Sequence, residues 1–465
     1  MSKINADCLL LIFNELQDDK KHLHSCLLVN RAWCHIVVRI LWKYPWSCYY
    51  GYMKSDRRLF NTIISFLSPS SKQYLLDNGI ELPLATTTNF SNPSFNYISF
   101  CRDFPEDEKI SYFARMMLGK DEVKENILKE EIYKLYVIKC EDIKKLIWKS
   151  SLHLSQFPGA LTCFSRLIYL DVDAKFVNSI ALHEMAQLCK DIEKIIISNA
   201  AQDNSGLIEL IDVQRNLKSV SILSKNMKAI SEALNKALTG KANTIIEFIL
   251  SPVNCIPPSI IKSLINLKKL SFHNCDEFED FKEYSKILEF LPNLWYFHVK
   301  DIPFFKDLAK LIENSKGNIE IFSFYTGFCH NENTGLLIKA ISRNCPKIKE
   351  LTTYLGSEDL NYLKELLVNC NYLEKIEFFS LELDKVEYIG DEICDILAEY
   401  SPKTLHKIML SDNWMFSING LKRFLESWRG RRPLSFSIDY HHNREFFTYG
   451  HMEILIKYKN EGVLK

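Results

Sequence analysis

The side chains able to do chemistry are scattered along this sequence. His441 and His442 stand beside Glu445, and imidazoles with a carboxylate are metal-ligand types. Adjacent residues of a strand or turn point to opposite sides, however, so the two histidines do not easily share one ion. Asp276, Glu277, Glu279 and Asp280 form an acidic run suited to calcium or a basic peptide, and equally to a solvated loop. Gly240-Lys241 lacks both the upstream glycine spacing and the Ser/Thr of a phosphate loop, and no G-x-S-x-G elbow occurs. Arg429, Arg431 and Arg432, beside Pro433, are the densest basic cluster. Fourteen cysteines include no C-x-x-C pair, which argues against zinc at its usual spacing. No acid, base or nucleophile stands in a recognisable arrangement, so the chain reads as non-catalytic, with no metal and no cofactor.

Bulk properties narrow the classes further. With 58 basic and 58 acidic residues the formal charge is zero, and a nucleic-acid binder usually carries a basic excess. No apolar run approaches the roughly 20 residues of a membrane span. The apolar stretch from Cys8 to Phe13 is short and follows Asp7, unlike a secretory leader. The expectation is an intracellular protein, cytoplasmic and/or nuclear, whose cysteines are small buried hydrophobes. At 465 residues the chain is too long for one compact core, and implies several domains or one repeat array.

The elements that organise these residues come from a repeat. The pattern apolar-x-x-apolar-x-apolar occurs at Ile143/Leu146/Trp148, Leu167/Leu170/Val172, Ile192/Ile195/Ile197, Leu217/Val220/Ile222, Ile245/Phe248/Leu250 and Leu267/Leu270/Phe272. It continues at Leu294/Phe297/Val299, Ile319/Phe322/Phe324, Leu373/Ile376/Phe378 and Leu405/Ile408/Leu410, with a weaker copy at Ile348/Leu351/Thr353. Successive starts lie 24, 25, 25, 28, 22, 27, 25, 29, 25 and 32 residues apart. Apart from the longer last gap, that is the period of a leucine-rich repeat. Each motif ends in strand-like alternation, and helical stripes such as Leu182/Met185/Ala186/Cys189 and Leu360/Leu363/Leu367/Cys370 lie between motifs. One strand-helix unit cannot bury both its faces, so stacked neighbours must complete the core. The fold class expected is an α/β solenoid: a leucine-rich-repeat horseshoe, with parallel strands on the concave face and helices on the convex face.

The first forty residues follow a different rule. Leu9, Ile12, Phe13 and Leu16 form one helical stripe, and Trp33, Ile36, Val37 and Ile40 belong to a later helix. The run Ile4-Asn5-Ala6-Asp7-Cys8-Leu9, then Ile12-Phe13, Leu16, Ser25-Cys26-Leu27-Leu28-Val29-Asn30-Arg31-Ala32-Trp33 and Leu41-Trp42, resembles an F-box. Ile4-Asn5 stands where that family typically has Leu-Pro. The whole chain, an N-terminal motif followed by repeats, resembles the F-box/leucine-rich-repeat family and its expanded fungal sets.

The resemblance implies an all-α three-helix F-box that docks a Skp-type adaptor, and through it the cullin and RING subunits of an SCF-type ubiquitin ligase. The adaptor-binding residues would be Ile4, Asn5, Leu9, Ile12, Phe13, Leu16, Leu28, Val29 and Trp33. The repeats would hold an unidentified target protein. The expected domains are an F-box at 1–43, a helical connector and cap at 44–137, and about eleven repeats with a closing helix at 138–465. Side chains between the core positions of each strand face the concave surface, which nominates Tyr296, His298, Tyr325, Phe379 and Met409 as substrate contacts. The alternative reading is a leucine-rich-repeat scaffold outside any ligase, its N-terminal helices only capping the array.

Overall fold

The computed structural model describes residues 5–46, 53–83, 94–199, 204–223, 231–274, 283–327, 334–380, 387–411, 413–439 and 448–465. Two compact units divide at Leu217 and Lys218. That boundary falls inside the repeat array. Ile4, the acidic run at 276–280 and the His441/His442/Glu445 group lie outside the described residues.

The first unit opens with three short helices, α1 (Ala6–Glu15), α2 (Lys20–Cys26) and α3 (Arg31–Leu41). Each begins at a polar side chain that takes a free backbone N–H. Asn5 Oδ1 accepts from Asp7 N at 3.5 Å, Asp19 Oδ1 from His22 N at 3.1 Å and Asn30 Oδ1 from Trp33 N at 2.9 Å. Leu9, Phe13, Leu23 and Val37 form their shared core, with Leu16, Trp33, Ile36 and Ile40 packed around it. Helices α4 (Met53–Ser65), α5 (Pro69–Asp77), α6 (Asp107–Leu118) and α7 (Glu122–Lys139) follow. A helical turn at Tyr97–Phe100 ties α3 to this connector. Trp42 stacks on Tyr97 at 4.7 Å, Arg39 lies over Phe100 at 5.5 Å and Trp46 Nε1 donates to the Tyr136 hydroxyl at 3.2 Å. The connector also meets the first repeat strand, where Phe104 N donates to the Lys145 carbonyl at 2.9 Å. Strands β1 (Lys145–Trp148), β2 (Tyr169–Asp173) and β3 (Lys194–Ser198) run parallel, with Leu146 paired to Leu170 and Leu170 to Ile195. Helices α8 (Ala160–Phe164), α9 (Ser179–Leu188) and α10 (Ser205–Asp212) complete the unit.

The second unit holds nine parallel strands: β4 (Ser219–Leu223), β5 (Glu247–Ser251), β6 (Lys269–His273), β7 (Tyr296–Lys300), β8 (Ile321–Tyr325), β9 (Glu350–Tyr354), β10 (Lys375–Phe379), β11 (Lys407–Ser411) and β12 (Ser435–Asp439). Helices alternate with them, from α11 (Glu232–Gly240) and α12 (Pro258–Ser263) through α13 (Phe305–Glu313), α14 (Thr334–Asn344) and α15 (Leu360–Asn369) to α16 (Gly390–Tyr400) and α17 (Ile418–Ser427). The central motif residues pair in one line: Val220, Phe248, Leu270, Phe297, Phe322, Leu351, Ile376, Ile408 and Phe436. Every motif position from Ile143 to Leu410 is buried, and Thr353 is as deeply buried as the apolar residues it replaces. Strand β12 is a twelfth strand that the motif does not reveal, because Pro433 stands at its first apolar position. The closing helix, α18 (Tyr449–Asn460), returns the chain so that Leu434 N donates to Val463 O at 2.8 Å. No helix among the described residues is long and apolar enough to cross a membrane.

Candidate interaction surfaces

On the N-terminal helices, the residues expected to meet an adaptor divide into buried, half-buried and exposed sets. Leu9 and Phe13 point inward, and Phe13 meets the Trp33 ring edge-on at 5.0 Å. These two are core, and their side chains are not available at the surface. Leu16 and Trp33 are half-buried against the same core, and Asn5 is exposed as the cap of α1. Ile12, Leu28 and Val29 stay in solvent, with Leu28 88% exposed. Leu10 and Leu11, which the stripe did not single out, are exposed beside Ile12. This small helical unit satisfies its interior and still leaves five large aliphatic side chains outside, more apolar surface than its own stability requires. The signal for Leu10 and Leu11 is already in the run Leu9-Leu10-Leu11-Ile12-Phe13, which is apolar all round the helix.

In the second unit, residues alternating with the buried motif form the open face of the sheet. Tyr296, His298, Tyr325, Phe379 and Met409 all lie on it, half-buried. Their partial burial has a plain cause: strands stand under 5 Å apart, so long side chains of the open face pack on their neighbours across strands. His298 lies 5.8 Å from Tyr325, and Tyr325 lies 5.7 Å from Phe379, ring centre to ring centre. Tyr296 stands apart from those rings, with the Lys269 ammonium 6.0 Å from its ring centre. Met409 is on the open face opposite Glu377. Glu377, on the same face, anchors the patch. Its carboxylate accepts from Thr352 Oγ1 at 3.0 Å and the Tyr325 hydroxyl at 3.3 Å, and pairs with Lys375 at 2.8 Å. Burial works against its ionisation, but these hydrogen bonds, led by Lys375, overcome that and hold the carboxyl below its usual value.

Other candidates have structural partners. Arg429 pairs with Glu426 at 2.6 Å and Arg431 lies over the Trp428 ring at 3.8 Å, so the arginine cluster is tied into the last repeat. Cys189, Cys345 and Cys370 are fully buried, and burial pushes each thiol up to about 12. A thiol held in that state is a poor nucleophile. No group of three or more His, Cys, Asp or Glu among the described residues is placed to hold a metal ion.

No protein-family model matches the chain, and no curated protein does. Among solved structures it is similar to the leucine-rich repeat-containing protein LegL7 from Legionella pneumophila, at 13% identity over 61% of this chain and 90% of that one, with a TM-score of 0.35. It is also similar to a chain of the Rad7 and Elc1 complex of yeast, at 11% identity over 71% of this chain and 81% of that one, with a TM-score of 0.39. The fold assignment stands on the strand register and the buried motif. The described repeats are those of a leucine-rich-repeat solenoid.

One titrating group on the first unit gives a direct check of this packing. Asp103 bridges to Lys145 at the edge of β1. Burial raises its carboxyl from 3.8 to about 6, with Lys145 opposing the rise. The folded state therefore holds the proton more tightly than the unfolded chain, and stability from this group is present below pH 4 and lost as pH climbs through 6. Asp103→Asn should raise the melting temperature at pH 7.5 and leave it unchanged near pH 4. An equal shift at both pH values in a thermal-melt series would contradict the assignment.

Proposed function

We propose that this chain is the substrate-recognition subunit of an SCF-type ubiquitin ligase. Its N-terminal helices dock a Skp-type adaptor, and its repeats hold the target protein. The observation that carries this reading is the exposed set Leu10, Leu11, Ile12, Leu28 and Val29, on a helical unit whose core is already filled by Leu9, Phe13, Leu23 and Val37. Aliphatic side chains left outside a satisfied core are what a partner helix covers. The sequence that places them resembles an F-box, and a repeat array follows it.

In this role the chain is not an enzyme: it brings a target to the cullin and RING subunits, which supply the ligase chemistry, in the cytoplasm or nucleus. The open face of the repeats supports the second half of the role, since its half-exposed aromatic rings beside charged groups are typical anchors of protein interfaces.

A second reading is favoured by α3, whose end packs on the connector through Trp42 and Arg39. Under it the helices only close the array, and the chain is a scaffold outside any ligase. Co-expression with the Skp-type adaptors of the same cell separates the two. The ligase reading expects a stable one-to-one complex on size exclusion; failure to bind any of those adaptors would leave only the scaffold.

A further inference from the structure

The closing helix α18 carries large side chains on two opposite faces, and only one face is used by the fold. On the inner face His451 and Tyr458 are buried against the last repeat. His451 Nε2 donates to the Phe416 carbonyl at 2.8 Å, and the Tyr458 hydroxyl donates to Glu426 at 2.6 Å. The outer face is bare. Tyr449, Met452 and Ile456 recur at i, i+3 and i+7, on one side of the helix, and all three are exposed, Tyr449 by 79%. Ile418, the first residue of α17, widens this stripe. It is exposed too, and a Cβ at Gly450, next to Tyr449, would stand 2.7 Å from its Cδ1 methyl.

The last unit of a repeat array needs a polar outer face to stay soluble, and this one departs from that rule. The charges beside the stripe say what fits it. Glu453 and Lys457 flank Met452 and Ile456, Lys459 ends the stripe, and all three are exposed. Glu453 has no ion pair among the described residues, and Lys457 reaches only Glu461, at 3.9 Å. A second α18 laid antiparallel, centred midway between Met452 and Ile456, meets this face residue for residue. Met452 falls opposite Ile456, Tyr449 opposite Lys459, and Glu453 beside Lys457, each contact made twice. A parallel pairing instead sets Glu453 on Glu453 and Lys457 on Lys457, which repel.

We propose that the outer face of α18, with Ile418, is a self-association surface on which a second copy of this chain packs through the same face, antiparallel, about a twofold axis. The face is its own complement, as an isologous contact requires: aliphatic meets aliphatic and each carboxylate meets an ammonium. The tyrosine ring facing an ammonium adds a cation–π attraction. One helix and one neighbouring isoleucine per copy bury less than the roughly 1,200 Å² at which stable interfaces begin, so the pairing is reversible and depends on concentration. It uses no residue of the N-terminal helices and holds whether or not they dock an adaptor.

The test is sedimentation velocity of the full chain alone, from about 1 to 200 µM, a span that brackets a micromolar dissociation constant. The wild-type chain should pass from one copy to two across that range. Ile456→Lys, at an exposed position, should keep the melting temperature and stay a single copy throughout. Glu453→Lys and Lys457→Glu should each weaken self-association by about tenfold or more, since each sets like charges together at both contacts. Mixed with one another, those two variants should associate at least as well as the wild type, because the mixture restores opposite charges at both contacts. A wild-type chain that stays a single copy at every concentration overturns the proposal and leaves the stripe to a different protein. A dimer that survives Ile456→Lys, or a mixture of the two charge variants that associates no better than either alone, overturns it as well. Because no adaptor is present, each outcome is independent of whether the N-terminal helices dock one.

Discussion

Phe13→Ala strips backbone protection from α1, α2 and α3 in hydrogen exchange while the strands of the second unit keep theirs. Phe13 is 1% exposed, and it fills the centre of a core with only three other fully enclosed members, Leu9, Leu23 and Val37. Truncating a buried phenylalanine costs about 3–5 kcal/mol, through lost burial and the cavity left behind. A helical group of some forty residues buries a smaller fraction of its surface than a larger domain does and has little stability to lose. Contacts through Trp42 and Trp46 hold the end of α3 to the connector, but none of them reaches the site of the cavity. Protection that survives across residues 6–41 in the variant would mean that the three helices draw their stability from outside their own core.

Gly206→Ala should lower the melting temperature more than any other single methyl addition in the first unit. Gly206 is the second residue of α10, and a Cβ there would stand 1.9 Å from the Ser179 carbonyl oxygen and 2.9 Å from His183 N. Both are backbone atoms of α9, so no flexible side chain can move aside, and the two helices must separate. Overpacking of this kind costs up to about 3 kcal/mol. For a unit of this size that corresponds to a fall of about 6–12 °C. Gly240→Ala is the matched control: a Cβ at Gly240 meets nothing, and alanine is the better helix former by about 1 kcal/mol. A Gly206→Ala protein that melts with the wild type would require α9 and α10 to stand further apart than they do.

The repeat was readable because its signal is redundant. Each motif fixes three inward positions, the helical stripes give the period again, and Asn216, Asn266, Asn293 and Asn318 each precede a motif. Those last three asparagines donate to carbonyls of the preceding repeat at 2.8–3.1 Å, a stitch the apolar pattern alone could not suggest. Strand β12 escaped because one proline interrupts an otherwise ordinary motif. The N-terminal surface was only half legible. Periodicity grouped Leu9, Ile12, Phe13 and Leu16, but a stripe on a nearly all-apolar helix does not say which edge turns inward. That depends on where α2 and α3 lie, and they cover Leu9 and Phe13 while leaving Ile12 outside. On the open face, alternation identified which side chains leave the core. It could not tell that Glu377 would organise Tyr325 and Thr352, or that His273 would sit beside His298, since both depend on which strands become neighbours.

The affinity of a folded Leu28→Asp/Val29→Asp protein for the Skp-type adaptor, set against that of the wild-type chain, decides whether these helices dock it. Both side chains are exposed, so the substitutions should leave the circular dichroism spectrum and melting temperature unchanged. A charge buried without a partner at an interface is costly enough to abolish measurable binding. The wild-type chain should form a stable complex and the folded variant none. Equal binding by both proteins would place the adaptor elsewhere on the chain, and contradict docking through these helices.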